Sequence, residues 1–338
     1  MLTETVTNDM LRRALETALE RRFGASKPIA RMDRRRSDYQ SSFRLEELSV
    51  TFADGASLTL MFKDLGFESL SREALLAKSR TRHEPLRELR VYEEILSPSG
   101  LGPDFYGAVV DEDIGHFWLF LEKIDGVELY QEGDLGIWQE CARWLARMHI
   151  RFLEDPGRLT PSVPLLQYGR SRSEADLVHL QESSDPALQA LAGALRPFYS
   201  GLLDQVFAWP RTFLHGDFYA SNVLIRRGPS GREVVPVDWE MAGIGPGLLD
   251  LAALTSGRWD ALQRMAMATE YHAVWSSEYD AAQSLSAFLR ALDGARLMAS
   301  LRWLTAPPQW KPPADHARDW YAESCDIARS LGLVSRPN

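Results

Sequence analysis

Thr212 to Ile225, TFLHGDFYASNVLI, and Val234 to Asp250, VVPVDWEMAGIGPGLLD, are the stretches whose reading decides the fold. The first sets His215, Asp217 and Asn222 in an H-x-D-x-x-x-x-N array, and the second ends a β-branched run on Asp238. Phosphoryl transfer needs groups of these types: a carboxylate to orient the attacking hydroxyl and accept its proton, and an amide with a second carboxylate to hold Mg²⁺ on nucleotide phosphates. A loop presenting Asp217 to an acceptor can turn Asn222 back five residues on, while Val223-Leu224-Ile225 enters a short buried strand. Two strands joined across Arg227 to Gly231 then carry the chain to Asp238.

With His215-Gly216-Asp217, Asn222, Val237-Asp238-Trp239-Glu240, Gly245-Pro246 and Asp250-Leu251-Ala252 in this order, the chain resembles the aminoglycoside phosphotransferase and choline kinase superfamily. A lone HGD carries little, and the ordered pair of motifs carries much more. The resemblance implies an α+β, protein-kinase-like bilobal fold, with an antiparallel-sheet N-lobe over residues 1–122 and a larger, mostly helical C-lobe over 123–338. It further implies that Asp217 is the catalytic base, that Asn222 and Asp238 are Mg²⁺ ligands, and that Asp250 braces the catalytic loop. His215 is expected to orient that loop, donating to backbone or to Asp250. Protein kinases of this fold usually carry lysine two positions after the base, where this chain has Tyr219, which points away from protein substrates.

The same resemblance gives Lys63, on the strand LTLMFKDL, the task of neutralising nucleotide phosphates. An edge lysine facing water is the competing reading. Its partner is expected on a helix from Glu84 to Leu96 that opens with Pro85. At about 100° per residue, Leu89, Val91, Tyr92, Ile95 and Leu96 cover one arc that includes Glu88, whereas Glu94 shares the far face with Arg87 and Arg90. A carboxylate on an apolar face is costly unless paired, and Lys63 is the available pair. Residues 31–42, RMDRRRSDYQSS, fall where a phosphate-covering loop belongs, yet contain no glycine. Backbone amides and the hydroxyls of Ser41 and Ser42 are the phosphate contacts expected there; Arg34 to Arg36 either reach a phosphate or, the favoured reading, lie in a solvated loop. The strand HFWLFLEKI, 116–124, would bring backbone groups from Glu122 to Ile124 to the adenine; an ordinary core strand has the same composition.

Elsewhere the chain reads as an ordinary folded protein. Its 338 residues suffice for one large or two modest domains. Asn8 to Phe23 is an amphipathic helix, with Asn8 as cap and Gly24 as stop, and no signal peptide. No apolar run reaches about 18 residues, which excludes a membrane span by that criterion. Cys141 and Cys325 have no zinc-binding spacing, and a reducing cytoplasm suits two lone thiols. A net charge of −9 argues against a nucleic-acid surface. It is compatible with a cationic substrate, and equally with any soluble enzyme. Cys141 and His149 lie on the core side of a helix over 135–152, so His149 reads as a packed or capping residue outside the site. The tryptophans at 259, 275, 303, 310 and 320 are candidates for walling an acceptor pocket, although aromatics at helical spacing more often belong to a core.

Rival motifs fail. Gly243-Ile-Gly-Pro-Gly lacks the third glycine of a dinucleotide fingerprint, and no Gly-Lys pair offers a nucleotide-binding P-loop. The expected function is therefore transfer of the γ-phosphoryl of ATP or GTP to a hydroxyl of a small molecule. The alternative is a non-catalytic nucleotide-binding scaffold on the same fold, favoured only by the missing glycines. Glu240 is either a further metal contact or an outlying acid, and the sequence leaves the acceptor and the oligomeric state open.

Overall fold

The computed structural model describes residues 6–38, 42–71, 74–75, 83–153, 162–228, 231–279, 284–306 and 318–334. The chain folds into two compact units. The first comprises residues 1–126, 160–164 and 226–240, and the second residues 127–159, 165–225 and 241–338.

The first unit is built on a five-stranded antiparallel sheet. Its strands are β1 (Ile29–Arg36), β2 (Arg44–Phe52), β3 (Ser57–Asp64), β4 (Phe105–Asp111) and β5 (His116–Glu122), in the order β1-β2-β3-β5-β4. Alternation sets the inward faces: Leu48, Val50 and Phe52 of β2 and Leu60 and Phe62 of β3 are buried. Asp54-Gly55 closes the β2–β3 hairpin, Gly55 taking the φ of +85° that a tight turn demands. Helix α1 (Asn8–Phe23) lays Leu11, Leu15 and Leu19 against this face. Thr7, rather than Asn8, caps it by accepting the Met10 N–H, and Gly24 ends it at φ +68°.

Two expectations about the first unit are corrected. Residues 31–36 are not a loop: they continue β1, where Arg34 pairs with Glu46 at 2.6 Å and Arg35 with Glu47 at 3.0 Å across the strand register. The Arg34 pair is mostly buried, whereas the Arg35 side chain stays largely in solvent. Arg87 is not solvated either. It is buried, donating from Nε to Pro164 O at 2.8 Å and from Nη1 to Glu240 O at 2.9 Å. Helix α2 (Pro85–Arg90), capped by Glu84, passes into a π-helical turn over Val91–Leu96. Arg87, Glu88 and Leu89 are consecutive and all buried, Arg87 because the carbonyls of Pro164 and Glu240 take up its guanidinium.

The second unit is mostly helical: α3 (Leu135–Arg151), α4 (Arg170–Gln181), α5 (Pro186–Phe207), α6 (Leu248–Leu254), α7 (Ala261–Glu278), α8 (Leu285–Leu304) and α9 (Trp320–Ser330). The break between α4 and α5 falls where Asp185-Pro186 caps and starts a helix. A small sheet orders Leu166–Gln167, Gly243–Pro246 and Arg211–Leu214, with Gly243–Pro246 in the middle. Glycine is required in that middle strand because a Cβ at Gly243 would stand 2.5 Å from Leu166 O. Cys141 is buried on α3. Among the described residues, no helix is long and apolar enough to cross a membrane.

Candidate active site

In the first unit, Lys63 sits on β3 opposite Leu45 and Leu119. Its ammonium donates to Glu88 Oε2 at 2.7 Å and Oε1 at 2.9 Å, and to Asp238 Oδ1 at 2.6 Å. It also stands 5.3 Å from the centre of the Phe43 ring. Helix α2 thus presents Glu88, 1% exposed, to the strand lysine, as its place on the apolar arc implies. Burial by itself would depress the ammonium, but Asp238, then Glu88 and Glu240, raise it above its ordinary value. Burial pushes Glu88 up to about 7, against the pull of Lys63, with Asp238 adding repulsion.

Asp238 is the one non-glycine residue with positive φ, +63°, among the described residues. Such backbone is tolerated by aspartate better than by branched residues, and strain of this kind persists where surrounding structure over-determines it. It directs the chain out of Gly231–Pro236 into the single turn Trp239–Met241. The Glu240 carboxylate acts electrostatically on Lys63 while its carbonyl is held by Arg87.

The other residues expected to meet a nucleotide also belong to the first unit. Ser41 lies outside the described residues. Ser42 is half-buried, and its carbonyl accepts the Ser71 N–H at 2.8 Å. The Glu122 N–H donates to Asp104 O at 2.8 Å, and the Glu122 carboxylate pairs with Arg226 at 2.5 Å. Ile124 buries its side chain after β5.

In the second unit the HGD loop leaves Arg211–Leu214 and is held from beneath by Asp250, the first-turn acid of α6. Asp250 is 1% exposed. Its Oδ2 accepts the His215 N–H at 2.7 Å and its Oδ1 the Gly216 N–H at 2.8 Å. The bracing role thus works through main chain: the His215 backbone donates to Asp250, while the His215 ring nitrogen Nδ1 faces the Asp217 N–H at 3.3 Å. Gly216 has φ +80°, and a Cβ there would lie 2.0 Å from Met241 O and 2.2 Å from the Tyr168 hydroxyl, so only glycine fits. Asn222 then folds back on Asp217, its Nδ2 donating to the Asp217 carbonyl at 2.9 Å and to Oδ2 at 3.0 Å.

Three residues not assigned to the site from sequence support this loop. His149, at the end of α3 and wholly buried, places Nε2 3.3 Å from Asp250 Oδ2 and Nδ1 2.9 Å from the Tyr271 hydroxyl. Tyr168 donates to Met241 O at 2.7 Å. The available signal was a histidine on an apolar helix face, which needs polar partners once buried. Gly247 makes room for this network, since a Cβ there would meet His149 Nδ1 at 2.6 Å. Of the tryptophans, Trp275 is core, 1% exposed and packed on Trp209 and Tyr271. Trp259 packs edge-on to Trp138, while Trp303 donates to the Tyr219 hydroxyl at 2.6 Å and stacks on Trp320. Trp310 lies outside the described residues.

A magnesium ion is implied by the motifs. Among the described residues no three His, Cys, Asp or Glu side chains converge to hold a metal. The donors offered are an amide and a carboxylate, both hard oxygen ligands. Donors of these types suit Mg²⁺, which is commonly held by one or two protein carboxylates, phosphate oxygens and water.

A family model described as "Phosphotransferase enzyme family" (APH) matches residues 69–288. Two Salmonella proteins, Stress response kinase A of S. paratyphi A and Serine/threonine protein kinase RdoA of S. typhimurium, are each 27% identical over 219 residues. These matches span 62% of this chain and 61% of the relatives' length. Choline kinase from Cryptosporidium parvum Iowa II superposes with a TM-score of 0.60 at 12% identity, covering 90% of this chain and 91% of that one. The GDP complex of aminoglycoside 2'-phosphotransferase-IIIa gives 0.54 at 12% identity, covering 96% and 98%. The α+β, protein-kinase-like fold is thereby shared with these structures, and the chain belongs to the APH phosphotransferase enzyme family.

Proposed function

We propose that this protein transfers the γ-phosphoryl group of ATP or GTP to a hydroxyl of a small molecule, the class that includes aminoglycosides, amino alcohols, sugars and natural products. The observation that carries this reading is the buried Lys63 ammonium, gripped by Glu88 on one side and Asp238 on the other. A cation so fixed is suited to phosphate oxygens, because catalysis of phosphoryl transfer rests chiefly on positioning and electrostatics. Asp217 takes the proton from the acceptor hydroxyl as that oxygen bonds to the γ-phosphorus, and the bond from phosphorus to the β–γ bridging oxygen breaks, releasing the nucleoside diphosphate. Asn222 and Asp238 would hold Mg²⁺, which when bound neutralises phosphate charge. Asp250 and His215 keep the Asp217 loop in place.

The test is release of nucleoside diphosphate from Mg²⁺ and ATP or GTP across a panel of hydroxylated metabolites. Asp217→Ala is expected to lower kcat by about 10²–10⁴ fold with nucleotide binding nearly intact. Asp238→Ala is expected to lose the Mg²⁺-dependent part of nucleotide affinity. Wild-type turnover retained by purified Asp217→Ala removes the assigned base, and absence of any metal-dependent hydrolysis favours a non-catalytic nucleotide-binding protein.

A second acceptor class is favoured by one finding, the name of the S. typhimurium relative, a serine/threonine protein kinase. Tyr219, where protein kinases usually carry lysine, argues for the small molecule. Incubation with radiolabelled ATP and a protein mixture separates the two, since label on protein serine or threonine would move the acceptor to a polypeptide.

A further inference from the structure

Four arginines of the second unit, Arg264, Arg296, Arg302 and Arg318, lie within electrostatic reach of one another or of Tyr219, two residues past the Asp217 base. Two carboxylates answer them. Arg296 takes Asp293 at 2.8 Å and shares Glu323, at 3.8 Å, with Arg318, at 2.6 Å. On the loop side, Asp217 accepts from Asn222 and Asp250 from the His215 and Gly216 amides; neither makes an ion pair with these arginines. Burial, and then repulsion from Arg296, holds the Arg264 guanidinium below its ordinary value.

Two of the four have no ion pair among the described residues: Arg264, which donates to Trp259 O, and Arg302, whose side chain has no hydrogen bond there either. Arg302 is half-buried at the end of α8, close enough to act electrostatically on both Tyr168 and Tyr219. Those tyrosines frame the loop: the Tyr168 hydroxyl lies 3.5 Å from Gly216 O, and the Tyr219 N–H donates to Asp217 O at 2.7 Å. A half-buried guanidinium left unpaired there is costly unless a ligand completes it.

The aromatic groups beside it do not form a receptor for an ammonium. Trp303 and Trp320 stack on each other at 5.5 Å, and the Arg318 guanidinium lies 4.4 Å over Trp320. The electron-rich face that would attract an alkylammonium already carries a cation of the protein. We propose that the acceptor alcohol carries an anionic group, a carboxylate or a phosphate, which Arg302 binds with Arg318 beside it so that the hydroxyl is presented to Asp217. The planar guanidinium fork matches either anion in bidentate fashion. The assignment deepens the phosphotransfer reading and, as to the acceptor, rests on it.

The test uses the full chain and four alcohols: D-glycerate, sn-glycerol 3-phosphate, glycerol and choline. Each is titrated by calorimetry and tryptophan fluorescence with Mg²⁺ and a non-hydrolysable ATP analogue at saturation. One or both anions are expected to bind at least tenfold more tightly than glycerol or choline, and which one does so separates carboxylate from phosphate. Arg302→Gln is expected to weaken that binding at least tenfold, Arg302→Lys to recover part of it, and Arg318→Gln to weaken it less. Equal or tighter binding of glycerol or choline overturns the assignment, as does anion binding indifferent to Arg302→Gln or the absence of binding by either anion. The analogue titrated alone judges the phosphotransfer reading separately: if it does not bind, that reading falls, whereas anion binding lost in Arg302→Gln would still establish the arginine site.

Discussion

The carboxylate of Asp250 holds the main chain of His215: Oδ2 accepts its N–H at 2.7 Å, with the next N–H, of Gly216, on Oδ1 at 2.8 Å. One side chain from α6 therefore satisfies two consecutive amides of the loop that carries Asp217. Asp250→Ala would leave both donors unpaired in a buried place, at about 1–3 kcal/mol each. The expected result is a loss of about 2–6 kcal/mol of stability, read as a lower urea midpoint, with turnover falling further than stability explains. Denaturation and single-turnover kinetics on the same preparation check this, and an unchanged midpoint would refute the bracing role.

Gly216 tests the same loop through its backbone. At φ +80° with Met241 O and the Tyr168 hydroxyl in the way of a Cβ, Gly216→Ala is expected to cost more than about 3 kcal/mol or to prevent folding. Tyr168→Phe removes the hydroxyl and one hydrogen bond to Met241 O, so it is expected to fold and to lose about 1 kcal/mol. The double variant should recover part of the Gly216→Ala loss, because one of the two obstructions is gone. Thermal melts of the three proteins decide it.

Glu88 gives a pH dependence with a definite sign. Burial raises its carboxyl to about 7 from an ordinary 4.5. The folded chain then keeps a proton that the unfolded chain has released, so this contribution to stability is fully present below pH 4.5 and is lost as pH rises to about 7. Glu88→Gln cannot titrate and should flatten that part of the curve. Urea midpoints at pH 5 and pH 8 for both proteins measure the difference, and parallel curves would exclude Glu88 as its source.

Arg87 is expected to matter to the fold of the first unit and not to surface charge. Arg87→Ala removes a buried guanidinium that donates to Pro164 O and Glu240 O, with a predicted loss of about 2–4 kcal/mol from hydrogen bonds made by a charged group. Arg87→Lys should not restore it, since one ammonium cannot reproduce the fork. Chemical denaturation of the two variants tests both statements.

Much of the site's cast was legible from local pattern. The spacing of His215, Asp217 and Asn222 prescribed a turn-back within five residues, and Asn222 does return to Asp217 at 3.0 Å. Placing Glu88 inside an apolar arc demanded a cation, and Lys63 supplies it at 2.7 Å. A helical wheel puts Arg87 on the solvent side because it holds no trace of the carbonyls of Pro164 and Glu240, which take up the guanidinium from far along the chain. His149 was set aside because nothing in LARMH reveals that Asp250 and Tyr271, about a hundred residues later, close on it.

By itself the sequence determined what is encoded over short range. The hairpin at Asp54-Gly55, the Asp185-Pro186 helix start, the glycine after His215 and the family itself all rest on residues a few positions apart, whose steric and hydrogen-bonding preferences act locally. Only the tertiary structure decided which distant groups share a charge or a proton. Lys63 divides its ammonium between Glu88 and an aspartate 175 positions away, and Arg34 spends its charge on Glu46. Burial sets how strongly such groups interact, and burial comes from packing of the whole chain, which no local window contains.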